Sequence, residues 1–332
     1  MHKIIDHSNM EAWRDLAMLI KDPFYSWEFA SAFTYMGRPK LFFYGDDYDF
    51  VVVPFILRDM DNAIPESGLK DITSHYGYAG PAYFGKPCLK EFMQEWNDFL
   101  ETNNIVSEFT RLHPLLENHN IFPWTDKIGD TVFINLEKKI DMPDFDKRCR
   151  NSITKAQRDG VKVGNMGCNI DHFITLYYKT MERHGTESRY FFPGKSIKKL
   201  LDIRGTTIFY AMMDDKVIAA AIFLYYDGGK YAYYYLAGSD DKYKNHCPNN
   251  LIVYEAMRYF KGLGCKGMCL GGDHGGSGTL FNFKSSFSTL RKEYYINKKI
   301  VMKEAYDKLS EGKSRDFFPA YRGSDEIQKG QA

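Results

Sequence analysis

The chain has 332 residues, 44% of them hydrophobic and 26% charged. That composition excludes a largely disordered chain and provides for two domains, or one large one. With 44 Lys and Arg against 43 Asp and Glu the formal net charge is +1, so no global basic field exists and any polyanion would have to be held by a local patch.

The first residues, MHKIIDHSNMEAWRDL, carry no apolar signal core. The longest apolar run, 217–226, is far short of the roughly 20 residues of a membrane span. A cytoplasmic protein is expected. The six cysteines form no CxxC pair and read as reduced thiols. His246, Cys247, Cys265, Cys269 and His274 match no standard zinc spacing, so no metal is expected. High aromatic content, with 24 Tyr and 25 Phe, favours strands and polar, sugar-compatible clefts.

Apolar residues at Trp13, Leu16, Ala17 and Ile20 predict a helix over 9–20, capped by Ser8 or Asn9. A second helix is expected over 27–36. Strands at 40–44 and 50–57 flank an acidic turn, and 76–81 reads as turn chemistry. A helix at 87–102 precedes strands at 107–112 and 132–136. A basic helix follows over 144–158 with Lys147, Arg148, Arg150, Lys155 and Arg158, its acidic start and basic end suiting the helix dipole. Strand 161–163, helices 171–184 and 196–202, strands 207–212, 217–226 and 230–238, helix 249–263, strand 267–270, a Gly-rich loop 271–278, helix 280–287 and strand 292–297 complete the prediction. The segment LFFYGDDYDFVVVPFIL is echoed by IFYAMMDDKVIAAAIFLYY, which suggests two similarly built halves. The fold class read from this order is mixed α/β, with domains at 1–142 and 143–325 and a polar tail at 326–332.

Several motifs, in this order, resemble those of a known family. They are Tyr76-Gly77-Tyr78-Ala79-Gly80-Pro81, Glu108-Phe109-x-Arg111-Leu112-His113-Pro114, Arg150-Asn151-x-Ile153-x-Lys155-Ala156 and Gly160-Val161-x-Val163. Leu176-Tyr177-x-x-Thr180-Met181-x-Arg183, Tyr190-Phe191, Leu270-Gly271-Gly272 and Phe283-Lys284-x-x-Phe287 follow. The family is that of the Fem-type aminoacyltransferases, in a subgroup associated with envelope polysaccharides. The resemblance implies two tandem GNAT-like domains, each a mixed sheet flanked by helices. It also implies an acyltransferase with no tightly bound cofactor, using aminoacyl-tRNA as donor. The implied acceptor is a nucleotide- or lipid-linked amine of a cell-envelope precursor, of peptidoglycan or polysaccharide, with only peripheral membrane contact. Two departures stand out. His113-Pro114 occupies the place of a common Asp-Pro, and the early helix Trp27-Glu28-Phe29-Ala30-Ser31-Ala32 lacks the lysine that peptidoglycan-type members direct at precursor phosphates.

Acyl transfer to an amine needs a neutral acceptor, a stabilised oxyanion and a protonated leaving group. Lys284, between two phenylalanines, is the candidate for polarising the acyl carbonyl; the alternative is a surface lysine. Asp273, His274 and His113 are candidate bases. Arg111 suits a carboxylate or phosphate, with Glu108 pointing to the opposite face of its strand. Tyr76 and Tyr78 suit a sugar, Arg150 and Lys155 a tRNA stem, and Arg183 and Tyr190 complete the candidate substrate contacts. Residues 241–250 contain no glycine and include Pro248. That departs from the glycine-rich turn with which GNAT enzymes hold the CoA pyrophosphate. Aminoacyl-tRNA is therefore the expected donor. The alternatives are an acyl-CoA-dependent N-acyltransferase acting on an amino sugar, and a non-catalytic glycan- or peptide-binding protein.

Overall fold

The computed structural model describes residues 2–60, 68–138, 145–165, 167, 169–272 and 278–323. It divides into two compact units. The first comprises Met1–Ile20, Phe24–Ile128 and Tyr294–Ala332, and the second Lys21–Pro23 and Gly129–Glu293.

In the first unit, β1 (His2–Asp6), α1 (Met10–Ile20) and α2 (Trp27–Ser31) precede β2 (Arg38–Gly45), β3 (Phe50–Asp59), β4 (Lys70–Thr73) and the short β5 (Ala82–Phe84). Then come α3 (Leu89–Thr102) and β6 (Ile105–Arg111). Strands β1 to β4 pair antiparallel in sequence order, and β4 runs parallel to β6. Strand β7 (Thr125–Asn135) enters the second unit at Gly129 and is followed by α4 (Lys147–Arg158), β8 (Lys162–Gly164), α5 (Ile170–Arg183) and α6 (Gly194–Lys199). Next are β9 (Thr207–Met213), β10 (Lys216–Tyr225), β11 (Tyr231–Ser239), α7 (Pro248–Gly262), β12 (Gly267–Gly271) and α8 (Thr279–Ser285). Strands β8 to β11 pair antiparallel, β11 runs parallel to β12, and β12 pairs antiparallel with β7.

From β1 to β6 and from β8 to β12 the chain repeats strand, two helices, three consecutive antiparallel strands, helix, strand, with the short β5 added on β3 in the first unit; the strands form mixed β-structure flanked by helices. The echo in the sequence corresponds to β2–β3 and β9–β10. Their acidic turns have separate chemistries. Asp46 Oδ1 accepts from the Tyr48 and Asp49 amides at 2.8 and 2.9 Å, whereas Asp214 and Asp215 both adopt positive φ (49° and 59°) in a two-residue turn.

The units differ from the sequence division at 142/143. Strand β13 (Arg291–Ile300) pairs its far half with β6, from Ile296↔Arg111 to Ile300↔Ser107. Beyond it, α9 (Lys303–Leu309) and Tyr321 pack on Val106 and Met60. Arg322 and Arg58 share the fully buried Asp71 at 2.9 and 2.8 Å. The chain after Tyr294 therefore belongs with the first unit. The helix expected over 27–36 breaks after Ser31 into a single turn at Thr34–Met36, where Gly37 (φ 153°) swings the chain into β2. Strand β1 and helix α9 were not anticipated. The tail at 326–332 lies outside the described residues.

Aromatic residues of α3 (Phe92, Trp96, Phe99) fill the core beneath β2, β3 and β6. In the second unit α4 and α7 bury Ile153, Ala156, Ile252, Ala256 and Phe260 against β9, β10 and β12. Helix α5 lies close on β11. A Cβ on Gly238 would stand 2.5 Å from the Leu176 carbonyl carbon and the Tyr177 amide. Gly238→Ala is therefore expected to cost about 1–3 kcal/mol, read as a lower denaturant midpoint at unchanged m-value.

Candidate active site

The parallel pairing of β11 with β12 covers only Tyr231–Tyr233 against Gly267–Cys269. Strand β11 continues to Ser239 on β10, while β12 bends toward β7 through a register shift between Cys269 and Gly271. Gly271 takes a positive φ of 75°. A Cβ on Gly272 would meet the Asp130 carbonyl at 2.6 Å. The two strands therefore splay.

Lys284 reaches the end of β12. It is 7% exposed, and its Nζ donates to the Gly272 carbonyl at 2.6 Å. Phe283 and Phe287 meet edge to face at 5.4 Å, and Phe287 packs on Phe145 at 5.8 Å, so aromatic anchors hold α8 around this lysine. It is not a surface residue. The Asp146 amide donates to the Ser286 carbonyl at 3.0 Å, tying the start of α4 to the end of α8. Burial pushes the neighbouring Cys149 thiol up to about 11.

Helix α4 is capped by Asp146, whose carboxylate accepts from the Cys149 amide at 2.6 Å. Its outer face and the turn before α7 form a cleft of about 400 Å³ lined by Lys147, Arg148, Asn151, Ser152, Lys155 and Cys247. Lys147 and Arg148 have no ion-pair partner among the described residues. Lys155 pairs with Asp159, which His246 Nδ1 also approaches at 2.8 Å. Lys155 first, and His246 second, hold that carboxylate below the usual range. Arg150 does not line the cleft; its guanidinium turns back to the Phe145 carbonyl. Cys247, in left-handed conformation, and Pro248 open α7 after the single-turn helix Asp241–His246.

Arg183 and Tyr190, also in the second unit, make local contacts. Arg183 donates to the Ser239 carbonyl at 3.0 Å, at the end of β11. Tyr190 accepts from the Tyr177 hydroxyl through its carbonyl and lies under the Arg189 guanidinium. Asp273 and His274 lie outside the described residues. Among those described, no cluster of His, Cys, Asp and Glu could hold a metal.

The remaining candidates lie in the first unit. His113 is 1% exposed, and its Nδ1 accepts from the Leu115 and Leu116 amides, both at 3.2 Å. That assigns the ring proton to Nε2 and spends the acceptor nitrogen on a turn, so this geometry fits a turn-holding histidine rather than the base expected from sequence. Tyr78 packs edge to face on His113, Phe24 and Tyr294, and Tyr76 is half-buried. Glu108 points to the α3 side, as expected, where Trp96 and Thr110 donate to it and burial pushes its carboxyl up. Arg111 is half-buried over the Phe109 ring at 4.8 Å.

Sequence reading missed His75. It is fully buried, with neither ring nitrogen hydrogen-bonded. Burial first, and the Arg111 charge second, lower its pKa to about 3. A lone histidine in a turn segment carries no pattern signal; its burial comes from Phe29 and Phe33, at 5.2 and 5.8 Å.

Residues 145–285 match the family model described as the Acetyltransferase (GNAT) domain. The match covers 141 of the 332 residues and falls within the second unit. The chain is similar in fold to FemX (TM-score 0.66, 13% identity, 92% of this chain and 99% of that one). A conserved protein of unknown function from Bacteroides thetaiotaomicron VPI-5482 is also similar (0.59, 11%, 90% and 98%). So is the C-terminal domain of a putative lysylphosphatidylglycerol synthetase from Agrobacterium fabrum (0.57, 13%, 88% and 92%). At these identities the likeness shows the fold alone. No curated protein matches the sequence. No helix among the described residues is long and apolar enough to cross a membrane.

His75 makes stability depend on pH. The unfolded ring takes its proton near 6.5 and the folded ring near 3. Its contribution is therefore complete above pH 6.5 and is lost as pH falls toward 3. Urea midpoints between pH 6.5 and 3 should fall less steeply in His75→Phe than in the parent protein.

Proposed function

We propose that the protein transfers an aminoacyl group from aminoacyl-tRNA to an amine of a cell-envelope precursor, peptidoglycan or polysaccharide. The observation that carries this reading is the buried Lys284 ammonium at the splayed end of β12, in the unit that also holds a cation-lined cleft. The acceptor amine attacks the ester carbonyl to form the C–N bond, and the C–O bond to the ribose then breaks. Lys284 donates to the oxyanion that develops between these events. The amine's proton leaves to Asp273 or His274, which follow Gly272 in the chain, and that group returns it to the departing ribose oxygen. Lys147, Arg148 and Lys155 bind phosphates of the donor stem. The names of two neighbours in fold, FemX and a lysylphosphatidylglycerol synthetase domain, agree with an aminoacyl donor and an envelope acceptor, nucleotide- or lipid-linked. No tightly bound cofactor is needed.

The description of the matched domain as an acetyltransferase favours a second reading, an acyl-CoA-dependent N-acyltransferase acting on an amino sugar. The entrance to α7 weighs against it. A glycine-free segment leads into a proline at the first helical position, which leaves few backbone amides for a pyrophosphate.

The test presents the purified protein with aminoacyl-tRNA and, separately, with acetyl-CoA. Aminoacyl transfer or deacylation should be seen with the first alone. Lys284→Met should lower its rate about 10²–10³-fold without changing tRNA affinity. A response to acetyl-CoA alone sinks the tRNA reading, and activity unchanged in Lys284→Met removes the assigned role. In a companion assay, Lys147→Glu with Arg148→Glu should weaken tRNA binding and reduce the slope of log K against log salt by about 2.

A further inference from the structure

The first unit contains a cation and an imidazole that its own packing leaves without partners. Arg14, Arg38, Arg58 and Arg322 each hold a carboxylate. Arg111 holds none among the described residues; its guanidinium rests only on the Phe109 ring. His75 is fully buried with both ring nitrogens unpaired, so its polar atoms carry a desolvation penalty that a bound ligand would offset. The two positions are joined through the backbone. The Arg111 amide donates to Ser74 Oγ at 3.1 Å, and the Ser74 amide donates to the Phe109 carbonyl at 2.9 Å. Phe29 and Phe33 wall the imidazole on the α2 side.

An unpaired half-buried guanidinium presents a forked set of donors that matches two oxygens of one anion. The neutral imidazole of His75, linked to Arg111 through Ser74 and close enough to sense its charge, supplies one further N–H and no competing negative charge. We propose that Arg111 and His75 form an oxyanion-binding position that takes a carboxylate or phosphate group of the acceptor substrate. Arg111 is the charged anchor and His75 the buried donor. That the anion belongs to the acceptor rests on the transfer reading above; the binding position itself does not.

The full-length protein would be titrated with acetate, inorganic phosphate and, as an uncharged control, acetamide, at constant ionic strength set by chloride. Binding would be followed by calorimetry and by melting temperature. A response to acetate alone or to phosphate alone supports the site and names its source as a carboxylate or a phosphate. Arg111→Gln should weaken the response at least tenfold, and Arg111→Lys, which keeps the charge but not the fork, should weaken it less. His75→Phe removes both unpaired nitrogens, so it should melt no lower than the parent while binding the anion several-fold more weakly. A purely structural histidine would not separate the two readouts. Parent-like binding in both Arg111→Gln and His75→Phe, or an equal response to acetamide, overturns the proposal. Donor binding, measured in the same variants with aminoacyl-tRNA, should be unchanged. A chain that binds the anions but no donor refutes the transfer reading and leaves this site standing.

Discussion

The organisation of the second unit follows from one constraint: β11 and β12 can pair only over three residues. Past that point the end of β11 needs other partners. Ser239 finds them in α5, where Thr180 Oγ1 accepts from its amide at 2.9 Å and Arg183 donates to its carbonyl. The end of β12 turns toward β7 and presents the Gly272 carbonyl, on which Lys284 rests. The splay thus supplies the acceptor that holds the lysine. The first unit has the same topology and a different outcome. Its counterpart strand β4 ends at Thr73, and the following segment is drawn onto the end of β6. The Ala79 amide donates to the Arg111 carbonyl at 2.7 Å, Ala79 bridges to Leu112, and Asn118 Nδ2 donates to the Ala79 carbonyl at 2.8 Å. In the first unit that segment thus fills the place beside the end of β6.

Electrostatics add a second, local asymmetry. The chain is close to neutral, yet α4 turns Lys147, Arg148 and Lys155 to one cleft. Cations concentrated on one face steer a polyanion without a large net charge. Asp159 limits the effect, because its carboxylate is shared between Lys155 and His246.

Much of this was legible in the sequence, for identifiable reasons. The hairpins β2–β3 and β9–β10 declare themselves through apolar runs around acidic turns, and their repetition revealed the duplicated plan. Lys284 stood out because its flanking phenylalanines are the anchors that bury it. What escaped depends on distant packing. Strand β1 is an edge strand of mixed polarity, recognisable only once β2 is beside it. The return of β13 to β6 joins residues far apart in sequence, so no local pattern could place the last part of the chain with the first unit. His113 was read by strand alternation, but β6 ends at Arg111, and beyond that residue the alternation no longer applies. His75 was passed over because its environment is made by α2 and not by its neighbours in the chain.

In the proposed reaction the second unit receives the donor through α4 and the entrance to α7. Hydrogen–deuterium exchange on the full chain, with and without a non-hydrolysable aminoacyl-tRNA analogue, tests it most directly. Slowed exchange in peptides spanning 147–158 and 241–251, with little change over β2 and β3, is the predicted result. Protection of those peptides by CoA and not by the tRNA analogue, or tRNA protection restricted to the first unit, would contradict it.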